Sequence, residues 1–596
     1  MSRWKTIIAA LLFGSVLLTG CDSSNEATQE QPEASSATSD KPQAPLLPSW
    51  QDFTTDFLKE YFAANPTEAV YQGLHEYDGQ LPDNTPSGQQ AYLRKLERWI
   101  GEVESMDPNQ LSAMERFERN YLLAELREQK FWLEDVDYLD RSPIAWANYA
   151  SPSVYLSRDY APMDVRMRAM TTYLENLQPY LADMRMTISG DIPKTWVETA
   201  LGMFTGFRGF FDTTVREKFA EVGTADEQAA FTEALDGALV EIDESITWLE
   251  TKATTATDVF ALGEKTYAKM LEATSMVDTS IAELKRIGEA DLERNLAAMR
   301  RACDEFAPGT TLKACAAKAK SLKPADGPVA GAKRQLEMLE EFVIENDIVS
   351  IPSDDPVTVD EAPPYRRFNL AYISIPGPYE KTLPATYYIA PPDPEWTEAQ
   401  RNQYVPGVGD LLFVSVHEVW PGHFLHFLHA KDTGTNIRGI FTDYAYTEGW
   451  AHYTEEMMYR AGLGKDDPQM HIGQLTNALL RNVRYLTSIG LHTGGMTVDE
   501  ATQMFIDKGL QDPGNAQQQA YRGTYDPGFL NYTLGKLMIR KLREDYVGES
   551  GQAAWKQFHD EFLSYASAPV PMVREIMLDG KESDGRLLAV PEAKEE

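Results

Sequence analysis

Positive charge is scarce in this 596-residue chain, which has 55 Lys and Arg residues against 91 Asp and Glu residues. The formal net charge of −36 argues against nucleic acids and anionic membrane surfaces as partners, because both are bound through basic patches. A solvated acidic surface is the simplest explanation, and a cleft that selects cationic substrates is the alternative. Hydrophobic residues make up 43% of the chain, which is ordinary for a soluble globular protein.

Long apolar runs are also lacking. The run at residues 7–18 follows a basic start and is too short to span a membrane, so residues 1–20 are predicted to be an export signal peptide. The segment ends in Leu-Thr-Gly-Cys21, which resembles a bacterial lipobox, whose cysteine becomes the acylated N-terminus. We therefore expect lipidation at Cys21 and membrane contact through this anchor only; an ordinary signal peptide is the alternative. Asp22 resembles a retention signal, which favours a periplasm-facing inner-membrane location over the outer membrane.

Cysteine is nearly absent from the rest of the chain. Only Cys303 and Cys315 follow Cys21. Export places them in an oxidising compartment, where a cysteine pair tends to form a disulfide. A metal-binding role is disfavoured because no second cysteine pair exists. We therefore predict a disulfide between Cys303 and Cys315.

The distribution of apolar residues predicts the organisation of the chain. Residues 21–47 are rich in Ser, Gln, Glu, Pro and Ala and should form a disordered tether. Residues 48–345 have the pattern of successive amphipathic helices without a fixed repeat. Residues 346–596 form the predicted catalytic region, with short strands near residues 370–375 and 385–389 and helices after them. The predicted fold is mainly α: a large, two-lobed helical body that forms a cleft, with a small β-sheet beside the histidine-rich segment.

Histidine is unevenly distributed, since four of the nine histidines lie close together around His417-Glu418-Val-Trp-Pro421-Gly422-His423. Zinc peptidases use such a pattern: two neutral imidazoles bind the metal, and the adjacent carboxylate accepts a proton from the attacking water. The two histidines are six residues apart rather than four, so an unbroken helix would place them about 120° apart. Pro421 and Gly422 can break the helix and bring His423 back toward His417.

A carboxylate further along the chain completes the predicted metal site. Glu448 lies at the start of a strongly predicted helix, where glutamate-type zinc peptidases have their third ligand. Two histidines and one carboxylate leave the fourth position of a zinc ion open, as catalysis requires. We therefore predict a Zn²⁺ site formed by His417, His423 and Glu448, with Glu418 as the general base. Glu455, two turns later on the same face, is the rival ligand, or it orients one of the histidines.

These motifs resemble the bacterial domain-of-unknown-function 885 family over nearly the whole mature chain. The segments that carry the resemblance are Asn65-Pro66-x-x-Ala69, Gly73-Leu74-His75-x-Tyr77-Asp78-Gly79, His417-Glu418-x-x-Pro421-Gly422-His423, Glu448-Gly449-Trp450-Ala451-x-Tyr453-x-Glu455, Gly490-Leu491-His492 and Arg522-Gly523-Thr524-Tyr525-x-Pro527…Tyr532-x-x-Gly535. The resemblance implies a glutamate-type zinc site, peptidase-like activity and a mostly helical fold. The chain departs from the family pattern at His426, His452 and Gly528-Phe529.

Hydrolysis also requires groups that stabilise the oxyanion and bind the substrate. We predict His492 and Tyr532 as catalytic residues that face the metal, and Arg522 and Tyr525 as substrate-binding residues. For each of them, burial with one satisfied hydrogen bond is the alternative.

A strand is predicted at Pro384–Ile389, just upstream of the histidine motif. We expect it to expose an edge beside the metal site, so that extended substrate adds to it as a further strand. Tyr387 and Tyr388 should then face opposite sides of the sheet, and Tyr388 is a third candidate for substrate binding. An interior strand with both edges paired is the alternative.

The combined features predict a zinc-dependent metallopeptidase that hydrolyses short peptides. One alternative is a non-catalytic, ligand-binding envelope lipoprotein with a vestigial metal site. Another is a metal-dependent amidase that acts on non-peptide or cell-wall amides. The sequence leaves the oligomeric state open.

Overall fold

The computed structural model describes residues 49–591, except residues 364–366, 368–369, 381–382, 393–395 and 435. The predicted signal peptide, the tether and Cys21 lie outside the described residues. The described part is mainly helical and contains one small β-sheet, which confirms the predicted fold class. Among its helices, none is both long and apolar enough to cross a membrane.

The helices fall into two groups, one on either side of the sheet in the sequence. Those before the sheet are α1 (Trp50–Ala64), α2 (Pro66–Gln72), α3 (Pro86–Ser105), α4 (Ala113–Glu134), α5 (Tyr138–Arg141), α6 (Pro143–Tyr149), α7 (Ser153–Ser157), α8 (Met163–Thr187), α9 (Lys194–Phe210), α10 (Arg216–Phe219), α11 (Ala225–Ala253), α12 (Glu264–Ser275), α13 (Ile281–Phe306), α14 (Leu312–Ser321) and α15 (Gly327–Glu345). Those after it are α16 (Glu398–Tyr404), α17 (Val408–Glu418), α18 (His423–Asp432), α19 (Ile437–Ile440), α20 (Tyr444–Arg460), α21 (Pro468–Thr493), α22 (Val498–Asp507), α23 (Pro513–Tyr525), α24 (Asn531–Val547), α25 (Trp555–Leu563) and α26 (Val570–Met577).

Local sequence signals set several helix starts. Ser112 and Glu115 form a capping box at α4, in which each side chain accepts a hydrogen bond from the other residue's backbone N–H. Thr224 and Glu227 do the same at α11. The structure also joins Cys303, near the end of α13, to Cys315 in α14 through the predicted disulfide.

The sheet contains β1 (Val357–Glu361), β2 (Ala371–Ser374) and β3 (Ala385–Ile389) in the order β1-β3-β2. Strand β3 pairs in parallel with β1 and antiparallel with β2, so both of its edges are occupied. The prediction that this strand exposes an edge to substrate is therefore wrong. It failed because β1 pairs with β3 over a long sequence separation, and the local pattern does not encode such a contact. Strand β1 is also short and has acidic residues at its end.

The described residues pack around two large hydrophobic clusters. One contains Phe57 together with Leu425, and the other contains Leu174 together with Phe505. Each cluster thus takes residues from both sides of residue 345, and the described residues group into one compact unit.

Close packing of α20 against α24 positions the third predicted ligand. A Cβ atom added at Gly449 would lie 2.5 Å from Gly535 Cα, so the two backbones approach each other more closely than side chains would allow. Glu448, which precedes Gly449, is held on a helix that has little room to shift.

Candidate metal centre

A tight turn separates the two histidines of the motif. Helix α17 ends at Glu418 and α18 begins at His423, which confirms the predicted helix break. Within the turn the Trp420–Pro421 peptide bond is cis, and Gly422 N–H donates a hydrogen bond to Val416 O at 3.0 Å. A Cβ atom on Gly422 would overlap the carbonyl oxygen of His417, so the turn requires glycine at this position.

The turn brings the two imidazoles together with Glu448 from α20. Glu448 Oε2 lies 3.3 Å from His417 Nε2 and 3.4 Å from His423 Nε2, and the three ligand atoms all lie within 4.8 Å of one another. Two donors that each lie ~2.1 Å from a tetrahedral zinc ion are about 3.4 Å apart. A charge-assisted hydrogen bond would be shorter, about 2.7–2.9 Å.

The electrostatic environment of Glu448 agrees with this geometry. Its buried Oε2 atom has no hydrogen-bond partner among the described residues. Burial alone would raise the pKa of Glu448, but the neighbouring His423 and His417 lower it well below the usual value, so the carboxylate is ionised. The three side chains therefore form a group that could hold a metal ion.

Glu455 lies behind His417 rather than beside both histidines. Its Oε1 atom accepts a hydrogen bond from His417 Nδ1 at 2.8 Å and lies 3.4 Å from Arg481 Nη2. A carboxylate in this position fixes the ring orientation and leaves Nε2 facing the site. The geometry thus favours the orienting role for Glu455 over the role of third ligand.

The site opens onto a cleft with a volume of about 2740 Å³. Glu418 lines this cleft and has no hydrogen-bond partner among the described residues. Tyr532, in α24, also lines it, with its ring centroid 6.2 Å from that of His417 and nearly parallel to it. The predicted base and one predicted oxyanion-stabilising residue therefore both line the cleft onto which the candidate centre opens.

Two of the three predicted substrate-binding residues also line the cleft, namely Arg522 and Tyr525. Arg522 Nε donates to Asp526 Oδ2 at 2.9 Å, so its charge is already paired. Tyr388 does not line the cleft. It lies on the opposite face of β3 from buried Tyr387, as predicted, and its ring stacks 5.1 Å from that of Tyr372.

His492 is not brought to the site, contrary to the prediction. It is buried and does not line the cleft, and its Nε2 atom donates to Gly523 O at 2.8 Å. Its Nδ1 atom accepts from the backbone N–H of Leu262 at 3.4 Å. Both ring nitrogens thus form hydrogen bonds to the backbone, so His492 has no free group with which to stabilise an oxyanion.

Three residues near the centre were missed by the sequence reasoning. Tyr444 stands four residues before Glu448, so the helix places both on one face, and this spacing could have revealed it. Its ring centroid lies 5.9 Å from that of Tyr532. Arg481 and Arg484 stand three apart on α21 and both line the cleft. Charged residues at this spacing are common on solvent-facing helix surfaces, so the sequence carries little signal for them.

The histidine of the opening motif lies in a separate cluster. His75 Nδ1 is 3.0 Å from Asp78 Oδ1, and His75 Nε2 is 3.0 Å from Glu380 Oε1. Its ring stacks on Tyr160 at 3.6 Å. Burial opposes protonation, but the two carboxylates outweigh it and raise the pKa of His75 to about 9. This histidine links two loops and is not a ligand of the candidate centre.

Comparison with known proteins places the chain in a family. No curated protein gives a significant match. A protein from Shewanella oneidensis, described as a candidate lipoprotein of unknown function, is 25% identical, with a TM-score of 0.74 over 89% of this chain and 100% of that one. A candidate lipoprotein from Colwellia psychrerythraea is 17% identical, with a TM-score of 0.75 over 90% of this chain and 100% of that one. Residues 66–577 match the family described as "Bacterial protein of unknown function (DUF885)", and the chain belongs to this family.

Proposed function

We propose that this protein is a zinc-dependent peptidase. The observation that carries the proposal is the position of Glu448 Oε2, which lies 3.3 and 3.4 Å from the Nε2 atoms of two buried histidines at the wall of a large cleft. Two imidazoles and one carboxylate are a ligand set that zinc accepts in hydrolases. When bound, zinc supplies Lewis acidity toward a carbonyl oxygen and toward water.

The residues around the centre supply the remaining parts of amide hydrolysis. Glu418 accepts a proton from the attacking water at a carboxylate oxygen and returns it to the leaving amine. The Tyr532 hydroxyl donates a hydrogen bond to the oxygen on which negative charge develops. Burial and the nearby Glu448 raise the pKa of Tyr532, so the phenol keeps its proton at neutral pH. Glu455 holds the His417 ring in position.

Peptides are the proposed substrates because of the size and lining of the cleft. A volume of about 2740 Å³ exceeds the ~300–1,000 Å³ of ordinary small-molecule pockets and leaves room for several residues of an extended chain. Ala371 and Ile373 of β2, which is an edge strand of the described sheet, also line it. Such an edge can pair with a peptide backbone whatever its sequence.

The test combines metal analysis with a peptide digest. The purified full chain should contain about one zinc per molecule by mass spectrometry of the elements. It should cleave members of a mixed peptide library, and a chelator should abolish cleavage that added zinc restores. Cleavage that continues unchanged in the metal-free protein would refute the proposal.

We further propose that Cys21 carries the lipid anchor and that the catalytic region faces the periplasm from the inner membrane. The Leu-Thr-Gly-Cys21 segment and the description of the Shewanella oneidensis protein support the anchor, and Asp22 supports the inner membrane. Labelled palmitate should enter the wild-type chain but not Cys21→Ala, and membrane fractionation should recover the labelled protein with the inner membrane. Equal labelling of both chains would refute the anchor.

A further inference from the structure

Among the described residues that line the cleft, one arginine has no carboxylate that balances its charge. Among the described residues the arginines that line it are Arg481, Arg484 and Arg522. Arg481 lies 3.4 Å from Glu455, and Arg522 lies 2.8 Å from Asp526. Arg484 has no ion pair within the described part of the chain. Its one hydrogen bond there runs from Nε to the side-chain oxygen of Gln519 at 2.8 Å.

The surroundings of Arg484 make this unpaired charge unfavourable in the empty cleft. The residue is only 8% exposed, and its guanidinium carbon lies 5.0 Å from the centre of the Tyr532 ring. Burial and the charges of Arg522 and Arg481 lower the pKa of Arg484 to about 10, which still leaves it charged at neutral pH. A buried charge without a partner is costly, and a perturbed charged group that lines a cleft is a candidate for ligand binding.

We propose that Arg484 binds a carboxylate of the peptide substrate, which makes the enzyme selective for peptides with an anionic group close to the bond that is cleaved. The inference rests on the proposed peptidase function and names its substrate class. The guanidinium presents two terminal nitrogens without protein partners in the described part of the chain, and these match the two oxygens of a carboxylate.

Distance sets where this carboxylate lies on the substrate. The Tyr532 ring is 6.2 Å from the His417 ring, and Arg484 Cζ is 5.0 Å from the Tyr532 ring. One residue of extended chain spans ~3.4 Å, so the path from the metal centre to Arg484 covers only a few residues. The carboxylate is either the C-terminal one of a short peptide or an acidic side chain next to the cleaved bond. Both sources present the same group.

The experiment measures binding rather than turnover. The protein is the full chain with Glu418→Gln, which is expected to bind peptides without cleaving them. It is titrated by calorimetry with three peptides: the free acid acetyl-tetraalanine, the neutral C-terminal amide of the same peptide, and the C-terminal amide of acetyl-Ala-Ala-Glu-Ala. We expect the free acid to bind about 10- to 100-fold more tightly than the neutral amide, as a charge-assisted hydrogen bond would give. Tight binding of the glutamate-containing amide instead would identify an acidic side chain as the source.

Arginine variants in the same background test the residue. Arg484→Gln should remove the preference for the anionic peptide, and Arg484→Lys, which keeps the charge but loses the planar fork, should retain part of it. Arg127→Gln is the matched control, because Arg127 is 56% exposed, pairs with Glu104 and does not line the cleft. It should keep the full preference.

Three outcomes would overturn the inference: equal binding of all peptides by the parent chain, no measurable binding of any, or equal weakening of acid and amide by Arg484→Gln. The first comparison needs no arginine variant, so it holds even if Arg484→Gln fails to fold. A preference for the acid in a wild-type chain that cleaves nothing would instead refute the peptidase and leave the carboxylate site standing.

Discussion

Two single substitutions, one at Glu448 and one at Glu455, distinguish the proposed metal ligand from the residue that orients His417. Glu448 Oε2 lies 3.3 and 3.4 Å from the Nε2 atoms of His417 and His423, whereas Glu455 contacts only one of these two histidines, at Nδ1 of His417. Glu448→Gln removes the proposed anionic ligand, whereas Glu455→Gln removes the charge that accepts the hydrogen bond from His417 Nδ1. The amide in each variant has nearly the volume of the carboxylate, so packing is preserved.

The expected losses differ in size. The binding free energy of zinc at structural sites is ~10–16 kcal/mol, and division among the four ligands of such a site gives ~3–4 kcal/mol for each ligand. Glu448→Gln should therefore weaken zinc binding about 10²- to 10³-fold. Loss of a hydrogen bond to a ligating histidine typically costs about 10- to 100-fold, and this is the expectation for Glu455→Gln.

The assay is a zinc competition titration against a chromophoric chelator, with circular dichroism to verify folding. Glu97→Gln is a suitable control, because Glu97 is 51% exposed and lies outside the cleft. It should bind zinc like the wild type. If Glu455→Gln weakens zinc binding more than Glu448→Gln does, Glu455 is the third ligand and Glu448 is not. The assignment from the distances between Glu448 Oε2 and the histidine Nε2 atoms is then wrong.

Three further predictions concern the base, the sheet edge and the histidine cluster. Glu418→Gln should keep its zinc while kcat falls ~10²- to 10⁴-fold, the usual cost of losing a general base; full activity would contradict the mechanism. Ile373→Pro removes an N–H from the edge of β2 that faces the cleft, so KM for peptides should rise several-fold without loss of helicity; an unchanged KM would exclude strand addition there. His75 has a pKa raised to about 9, so its stabilising charge is fully present below pH ~6.5 and is lost as pH rises through 9. Between pH 6 and 10, denaturant titration should show that the free energy of unfolding falls by on the order of 2 kcal/mol more in the wild type than in His75→Gln. This figure is smaller than the full pKa shift would give, because solvent partly screens the exposed side of His75. Equal losses in the two proteins would contradict the prediction.

The hydrogen-bond register of the sheet determines which backbone groups of β2 point away from β3, and Ile373 carries one of them. Ala390 N–H donates to Leu370 O, so the residues of β2 that bond to β3 recur at every second position from Leu370. Ala371 and Ile373 fall between these positions and direct their backbone groups to the other side, which is an edge in the described sheet. The proposed strand addition is therefore assigned to β2, one strand away from the predicted position.

Local sequence patterns were sufficient for the parts of the site that depend on local geometry. The helix break at Pro421-Gly422 and the helix that carries Glu448 are properties of a few consecutive residues, and both were predicted. The third-ligand alternatives stayed open because Glu448 and Glu455 share a helix face, and only the distance to His423 separates them.

Predictions that depended on long-range packing failed more often. His492 lies in the last turn of α21, and nothing local reveals that its nitrogens bond to the backbones of Leu262 and Gly523. Arg484 was missed for the converse reason: an arginine on an amphipathic helix suggests a solvated side chain. Only tertiary structure shows that this one is buried beside Tyr532.

The lengthened histidine motif can be understood from the turn that it forms. With four residues between Glu418 and His423, the second histidine begins a new helix instead of continuing the first, so its direction depends on the turn. Trp450 Nε1 donates to Pro421 O at 2.9 Å, which ties this turn to α20, the same helix that carries Glu448. Gly422 leaves space for the carbonyl oxygen of His417. This hydrogen bond therefore links the turn that precedes His423 to the helix that carries Glu448, so Pro421, Gly422 and Trp450 help to position the candidate ligands.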